Sequence, residues 1–112
     1  MLPKRDLARL IMTHYRDGPG ERGGPGFERA LREVADLGVG GCCVFGGELE
    51  RTAARIGALR EAARGPILVA SDLERGLGQQ VRGGTVFPSQ MAVAAAERGM
   101  GTRGAGNGAA EA

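Results

Sequence analysis

The sequence predicts an α/β fold with parallel strands, and three observations support this prediction. Short apolar runs at residues 39–45 (VGGCCVF) and 67–71 (ILVAS) adjoin glycine or proline and are typical of buried strands. Between them, residues 48–64 place apolar side chains at helical spacing. A strand, a helix and a second strand in this order predict a βαβ unit, whose strands run parallel and are joined by a right-handed crossover.

Size and composition exclude several classes of protein. The 112 residues suit a single domain, with 15 Lys+Arg against 13 Asp+Glu for a net charge of +2. This balance provides no strong field for nucleic acid or an anionic membrane. Aromatic residues are only 4% of the chain, too few for base-stacking platforms.

The N-terminal third predicts two helices. Residues 6–16 place Leu7, Leu10, Ile11 and Tyr15 at helical spacing, with His14 beside this apolar stripe, and the helix ends at a turn-rich loop over residues 17–26. A second helix is predicted from about residue 27 to residue 37. Gly38 is suited to its left-handed C-terminal cap.

The remaining elements follow the same logic. In the helix over residues 48–64 the predicted apolar stripe is Leu49, Ala53, Ile56, Leu59 and Ala63, with Arg51 and Arg55 in solvent. Residues 72–86 predict a polar loop and residues 88–98 a further helix. Residues 99–112 are rich in glycine and alanine and predict an irregular tail, separate from a domain formed by residues 1–98.

The two cysteines, Cys42 and Cys43, are neighbours and cannot join distant segments through a disulfide. On a strand they point to opposite faces, and inert burial is the favoured interpretation. The absence of a disulfide framework, an N-terminus interrupted by charges, and no run of about 20 apolar residues predict a cytoplasmic protein.

Candidate functional residues come directly after the second predicted strand. In parallel α/β proteins chemistry gathers at the carboxyl ends of strands, which points to Asp72 and Glu74. The simpler alternative is that Asp72 caps a turn and Glu74 is solvated. A dinucleotide-binding loop is a weak alternative, because Val81 stands where the third glycine after Gly76 and Gly78 belongs. One histidine, His14, supports no His-rich metal site, and we expect no metal or cofactor.

Three segments, taken in order, resemble a known family. They are DLARLIM (6–12), LGVGGCCVFGGE (37–48) and GPILVASDLERGLGQQVRGGTVFPSQMAVAAA (65–96). They are similar to the start of the catalytic barrel of glycoside hydrolase family 3, especially its bacterial β-N-acetylglucosaminidase-like members. The family pattern has a glycine-rich strand, a strand end of the form D-x-E-x-G, and then G-x-T-x-F-P-S-x-M-A.

The resemblance implies a (β/α)₈ TIM barrel, of which this chain holds only the first βα units, and a carbohydrate substrate cleaved with retention through a carboxylate nucleophile. Asp72 matches the aspartate that hydrogen-bonds the sugar hydroxyls, and Glu74 matches the motif glutamate, with a supporting role. Arg75 replaces a glycine common in the family. Gln80 stands where the N-acetylglucosaminidase pattern has a sugar-contacting arginine, which leaves the sugar open.

The family's nucleophile and acid/base regions have no counterpart in these 112 residues. We therefore expect a truncated, inactive N-terminal fragment with no catalytic residue of its own. Its uncovered apolar strands predict marginal stability and self-association. The alternative is a small non-catalytic domain that binds a nucleotide, a phosphate or another protein.

Overall fold

The computed structural model describes residues 1–18 and 25–105. The elements in chain order are helix α1 (Lys4–Ala8), strand β1 (Met12–Asp17), helix α2 (Pro25–Arg32) continued by a π-helical turn (Glu33–Leu37), strand β2 (Gly41–Gly46), helix α3 (Leu49–Ala62), strand β3 (Leu68–Ala70), a 3₁₀ turn (Leu77–Gln79) and helix α4 (Gln90–Ala105). Most of the predicted loop over residues 17–26 lies outside the described residues.

The three strands form one parallel sheet in the order β1-β2-β3. Met12 pairs with Gly41 and Asp17 with Gly46, and Gly41 in turn pairs with Leu68. The predicted βαβ unit over residues 39–71 is confirmed, with its two strands parallel and adjacent. All three strands end at the same edge, which we call the carboxyl rim.

The predicted helix over residues 6–16 is wrong. The helix ends at Ala8, and residues 12–17 form β1, in which Thr13, Tyr15 and Asp17 are buried while the residues between them are exposed. The sequence MTHYRD fits this alternation, but a buried aspartate made the period of two hard to recognise. His14 consequently lies on the exposed face of a strand rather than beside a helical stripe.

The core lies on one face of the sheet. It contains Tyr15 of β1, Cys42 and Val44 of β2, and the helix residues Ala30, Val34 and Leu59, all essentially inaccessible to solvent. We call this the helix-facing side of the sheet. The opposite side, the open face, carries Met12, His14, Arg16, Cys43, Phe45, Leu68 and Ala70.

We expected the apolar side chains of the two predicted strands to be uncovered, and this is correct for only part of the sheet. Leu68 on the open face is 71% exposed, whereas Val44 on the helix-facing side is 3% exposed. Burial of the β2 side chains has two causes, of which only the first was missed by the sequence analysis. One is the additional strand β1, and the other is the cover that α2 and α3 provide on one side.

The second and third helices form close to the predicted positions. Gly38, with φ 71° and ψ 38°, provides the left-handed end after Leu37, as predicted. In α3 the buried positions are Thr52 and Leu59, while Leu49 is 48% exposed. The predicted stripe is therefore correct at Ile56, Leu59 and Ala63, which are buried or pack against the core, and wrong at Leu49 and Ala53, which are exposed.

The last helix is longer than predicted. It begins at Gln90 and continues to Ala105, so the expected irregular backbone is wrong for residues 99–105. Its first half is rich in alanine, which has the highest helix propensity, whereas the extension contains Gly99, Gly101 and Gly104 and is not explained by propensity. Residues 106–112 of the predicted tail lie outside the described residues, and the division into a domain and a tail at residue 98 stays a prediction.

Candidate active site

The carboxyl rim holds both residues predicted to bind substrate. β3 ends at Ala70, and Asp72 and Glu74 follow it directly as exposed side chains. The Ser71 hydroxyl donates a hydrogen bond to the Val44 carbonyl at 2.6 Å, which ties the end of β3 to β2. The sheet therefore fixes the backbone immediately before Asp72.

Glu74 is held by the loop that follows it. Gln79 Nε2 donates to Glu74 Oε2 at 2.8 Å, and Gln79 Oε1 accepts the backbone N–H of Arg75 at 2.8 Å. The Gln79 hydrogen bond lowers the pKa of Glu74, with a smaller contribution from Glu74's own backbone. Glu74 is therefore an ionised hydrogen-bond acceptor rather than a proton donor.

Arg75 is compatible with this loop although the family commonly has glycine there. Its backbone carbonyl accepts the Phe87 N–H at 2.7 Å, and its Nε donates to the Phe87 carbonyl at 3.4 Å. The next residue, Gly76, has φ 83°, and a Cβ there would lie 2.7 Å from the Phe87 ring. Glycine is thus required at position 76 but not at position 75.

The same loop is fixed to the end of β2. The backbone N–H of Arg82 donates to the Gly47 carbonyl at 2.9 Å, and the Leu49 N–H donates to the Arg82 carbonyl at 3.1 Å. Arg82 Nη2 also pairs with Glu48 Oε1 at 2.8 Å. These bonds connect the loop after β3 with the loop after β2, so the rim is one connected structure. Sequence reasoning missed Gln79 and Arg82, because their partners are close only in the fold.

A fourth carboxylate near the rim, Asp17, is occupied by structural contacts. Its Oδ2 lies 2.7 Å from Arg55 Nη1, its Oδ1 lies 3.8 Å from Arg51 Nη1, and the carboxylate is almost completely buried on the helix-facing side. The Arg55 guanidinium also stacks on Tyr15 and Phe27, at 5.5 Å and 4.6 Å from the ring centroids. The expectation that Arg55 is solvated is wrong, since its side chain is 11% exposed.

The other nucleophile and ligand candidates lie away from the rim. Cys42 is buried, and burial raises the pKa of its thiol to about 11, with smaller contributions from Cys43 and Glu33, as inert burial predicts. Cys43 points to the open face and is partly exposed, so the expected burial does not hold for this cysteine. Within residues 1–18 and 25–105, no group of three or more His, Cys, Asp or Glu side chains could hold a metal ion.

The dinucleotide-binding alternative receives no support from the backbone. Gly76 precedes a single 3₁₀ turn at Leu77–Gln79 and Gly78 lies within it, and no longer helix begins there to offer its N-terminus to a phosphate. A cleft of about 800 Å³ between α1, β1 and α2 lies at the amino ends of the strands, away from the rim. None of the helices in the described ranges is long and apolar enough to cross a membrane.

Comparison with known proteins identifies one family. The family model described as the glycosyl hydrolase family 3 N terminal domain matches residues 9–110. A search of curated proteins finds no match. The family's N-terminal domain is TIM-barrel-like, and the parallel three-stranded sheet with its helices corresponds to a part of such a barrel. The chain therefore belongs to the glycosyl hydrolase family 3 N-terminal domain family.

Proposed function

We propose that the carboxyl rim binds the terminal β-N-acetylglucosamine, or a related β-hexosaminide residue, of a glycoside substrate. Family membership supports a glycosidase-type function with a carbohydrate substrate. The observation that carries the proposed binding site is the contrast between the two carboxylates that follow β3. Glu74 is engaged by Gln79, whereas no ion pair or side-chain hydrogen bond engages Asp72 within the described part of the chain.

An exposed carboxylate on a fixed backbone suits sugar recognition. Ionised Asp72 can accept hydrogen bonds from two neighbouring sugar hydroxyls, and charge-assisted bonds of this kind are the strong ones. Glu74 supports it indirectly, because the Glu74–Gln79 bond orders the loop through which the chain leaves β3.

We further propose that these 112 residues bind sugar without cleaving it. Retaining hydrolysis uses a nucleophilic carboxylate and, about 5 Å from it, a second carboxyl group that donates a proton. A proton donor of this kind needs a raised pKa, whereas the pKa of Glu74 is lowered. Asp17 is buried in its ion pair with Arg55 and cannot reach a substrate.

The test combines catalysis and binding on the same chain. A chromogenic N-acetylglucosaminide should release no chromophore, while N-acetylglucosamine should cause saturable NMR shifts at residues 71–75. Asp72→Asn should weaken this binding roughly tenfold, because a charge-assisted bond becomes a neutral one.

Glu61→Gln, which neutralises an exposed carboxylate on α3, is the matched control and should bind like the parent chain. Turnover by the chain would contradict the binding-only proposal. Saturable shifts with a nucleotide instead of the sugar would favour the phosphate-binding alternative.

A further inference from the structure

One row of side chains crosses the open face just inside the carboxyl rim. Arg16 of β1 pairs with Phe45 of β2, and β2 pairs with β3 as far as Cys43 opposite Ala70. Continuing that register by two residues brings Asp72 opposite Phe45. The hydrogen bond from the Ser71 hydroxyl to the Val44 carbonyl shows that the segment after β3 is still adjacent to β2, one residue before Asp72.

The Arg16 side chain contacts its neighbour in this row, Phe45. Its guanidinium carbon lies 5.0 Å from the centroid of the Phe45 ring. The guanidinium therefore contacts a side chain of β2, the strand that lies between β1 and β3, and Asp72 follows β3. In the described ranges no carboxylate forms an ion pair with Arg16.

Arg16 and Asp72 have complementary hydrogen-bonding chemistry. A guanidinium only donates and an ionised carboxylate only accepts, whereas each sugar hydroxyl does both. A sugar between them can therefore donate to Asp72 and accept from Arg16 without leaving a buried polar group unpaired. The contact with Phe45 limits the rotamers of Arg16, which reduces the entropy lost when the sugar binds.

We propose that Arg16 is a further substrate-binding residue, which donates hydrogen bonds to oxygens of the same sugar that Asp72 binds. This inference rests on the proposed sugar site at the carboxyl rim. Phe45 is a positioning residue in this arrangement, since its ring contacts the guanidinium.

The experiment measures N-acetylglucosamine binding to the full chain by NMR titration. Arg16→Met keeps an unbranched side chain of similar length but removes every donor, and it should weaken binding roughly tenfold, as expected for loss of a charged hydrogen bond. Arg16→Lys should restore part of the affinity, because it keeps a charge but not the planar fork. The matched control is Arg60→Met, which removes an exposed arginine from the last turn of α3 and should leave the affinity unchanged.

A set of monodeoxy-N-acetylglucosamines separates direct contact from a structural effect. If Arg16 donates to a sugar oxygen, the analogue lacking that oxygen should bind the parent chain about as weakly as Arg16→Met binds the complete sugar. Combining that analogue with Arg16→Met should cost little more, as a double-mutant cycle requires for a direct pair.

The role of Arg16 and the existence of the sugar site can be disproved separately. Binding that depends on Asp72 but stays within twofold of the parent chain in Arg16→Met would overturn the role of Arg16 and leave the sugar site standing. Additive losses with every deoxy analogue would also overturn it. The absence of saturable binding by the parent chain would overturn both proposals.

Discussion

The two sides of the three-stranded sheet differ sharply although the same strands supply both. The helix-facing side buries Tyr15, Cys42 and Val44 beneath α2 and α3, and its charged residue Asp17 is paired with Arg55 at 2.7 Å. The open face presents Leu68 at 71% exposure, and its charged residue Arg16 stacks on Phe45.

The difference follows from the alternation of side chains along a strand, which places stabilising residues on one side of the sheet and residues available for binding on the other. Side chains of successive residues point to opposite sides, so Arg16 and Asp17 are adjacent in the chain yet have different surroundings. On one side a charge is neutralised inside the fold, whereas on the other it remains available to a ligand. We expect substitutions on the helix-facing side to change stability and substitutions on the open face to change binding.

The largest expected effect is on the buried ion pair. Arg55→Met leaves the Asp17 carboxylate buried with Arg51, 3.8 Å away, as its remaining cation among the described residues, and removing one partner of a buried pair costs about 3–5 kcal/mol. It also removes the stacking on Tyr15 and Phe27. Urea unfolding followed by circular dichroism should show this loss, or no folded baseline at all.

Arg60→Met is the control for this prediction and should change the unfolding free energy by less than about 0.5 kcal/mol, as is usual for surface positions. Replacing both partners, with Asp17→Leu and Arg55→Met together, should recover part of the loss because no buried charge remains. Equal stability of Arg55→Met and the control would show that the pair contributes nothing.

Two leucines allow a direct comparison of the helix-facing side with the open face. Leu59 is fully buried against the helix-facing side, and Leu59→Ala should cost about 2–5 kcal/mol. Leu68→Ala removes the same atoms from an exposed position and should cost less than about 0.5 kcal/mol. The measurement is again urea unfolding, at low protein concentration. A large loss for Leu68→Ala would mean that something covers the open face in solution.

The smallest expected effect concerns the adjacent cysteines and alkaline pH. Burial raises the pKa of the Cys42 thiol from 9.0 to about 11, so the unfolded chain loses this proton before the folded chain does. Its contribution to stability is complete below pH 9 and is lost as the pH rises toward 11, with a maximum on the order of 2 kcal/mol. Tyr15, whose pKa is raised to about 12, acts in the same direction at higher pH.

Unfolding free energies measured between pH 8 and pH 11 test this prediction. Cys42→Ala should flatten the decline, whereas Cys43→Ala should leave it in place, since only Cys42 is fully buried. A thiol reagent at pH 8 should modify Cys43 well before Cys42 for the same reason. Identical modification rates would contradict the burial argument.

The sequence predicted the βαβ unit correctly because residues 39–45 and 67–71 are apolar runs with clear borders. It failed at β1, where the buried positions are Thr13, Tyr15 and Asp17 rather than a row of aliphatic residues. The Asp17 carboxylate is buried only because Arg55, 38 residues later, is there to pair with it. No local pattern contains that information.

The candidate site shows the same division. Asp72 and Glu74 could be identified because they follow a strand and match a motif, both of which are local properties. Gln79 and Arg82 could not, since their roles depend on how the loop folds back onto Glu74 and Glu48. Arg16 was assigned to a helix, and its place beside Phe45 follows only from the strand register.

Gly40, just before β2, links the start of the chain to the glycine-rich motif. Its N–H donates to the Ile11 carbonyl and its carbonyl accepts the Leu68 N–H, both at 3.0 Å, so one residue bridges the beginnings of β1 and β3. A Cβ at this position would lie 1.9 Å from the Arg9 carbonyl oxygen. A side chain at position 40 and the present path of residues 8–11 are therefore mutually exclusive. Any homologue that carries one must lead its polypeptide into the first strand by another route.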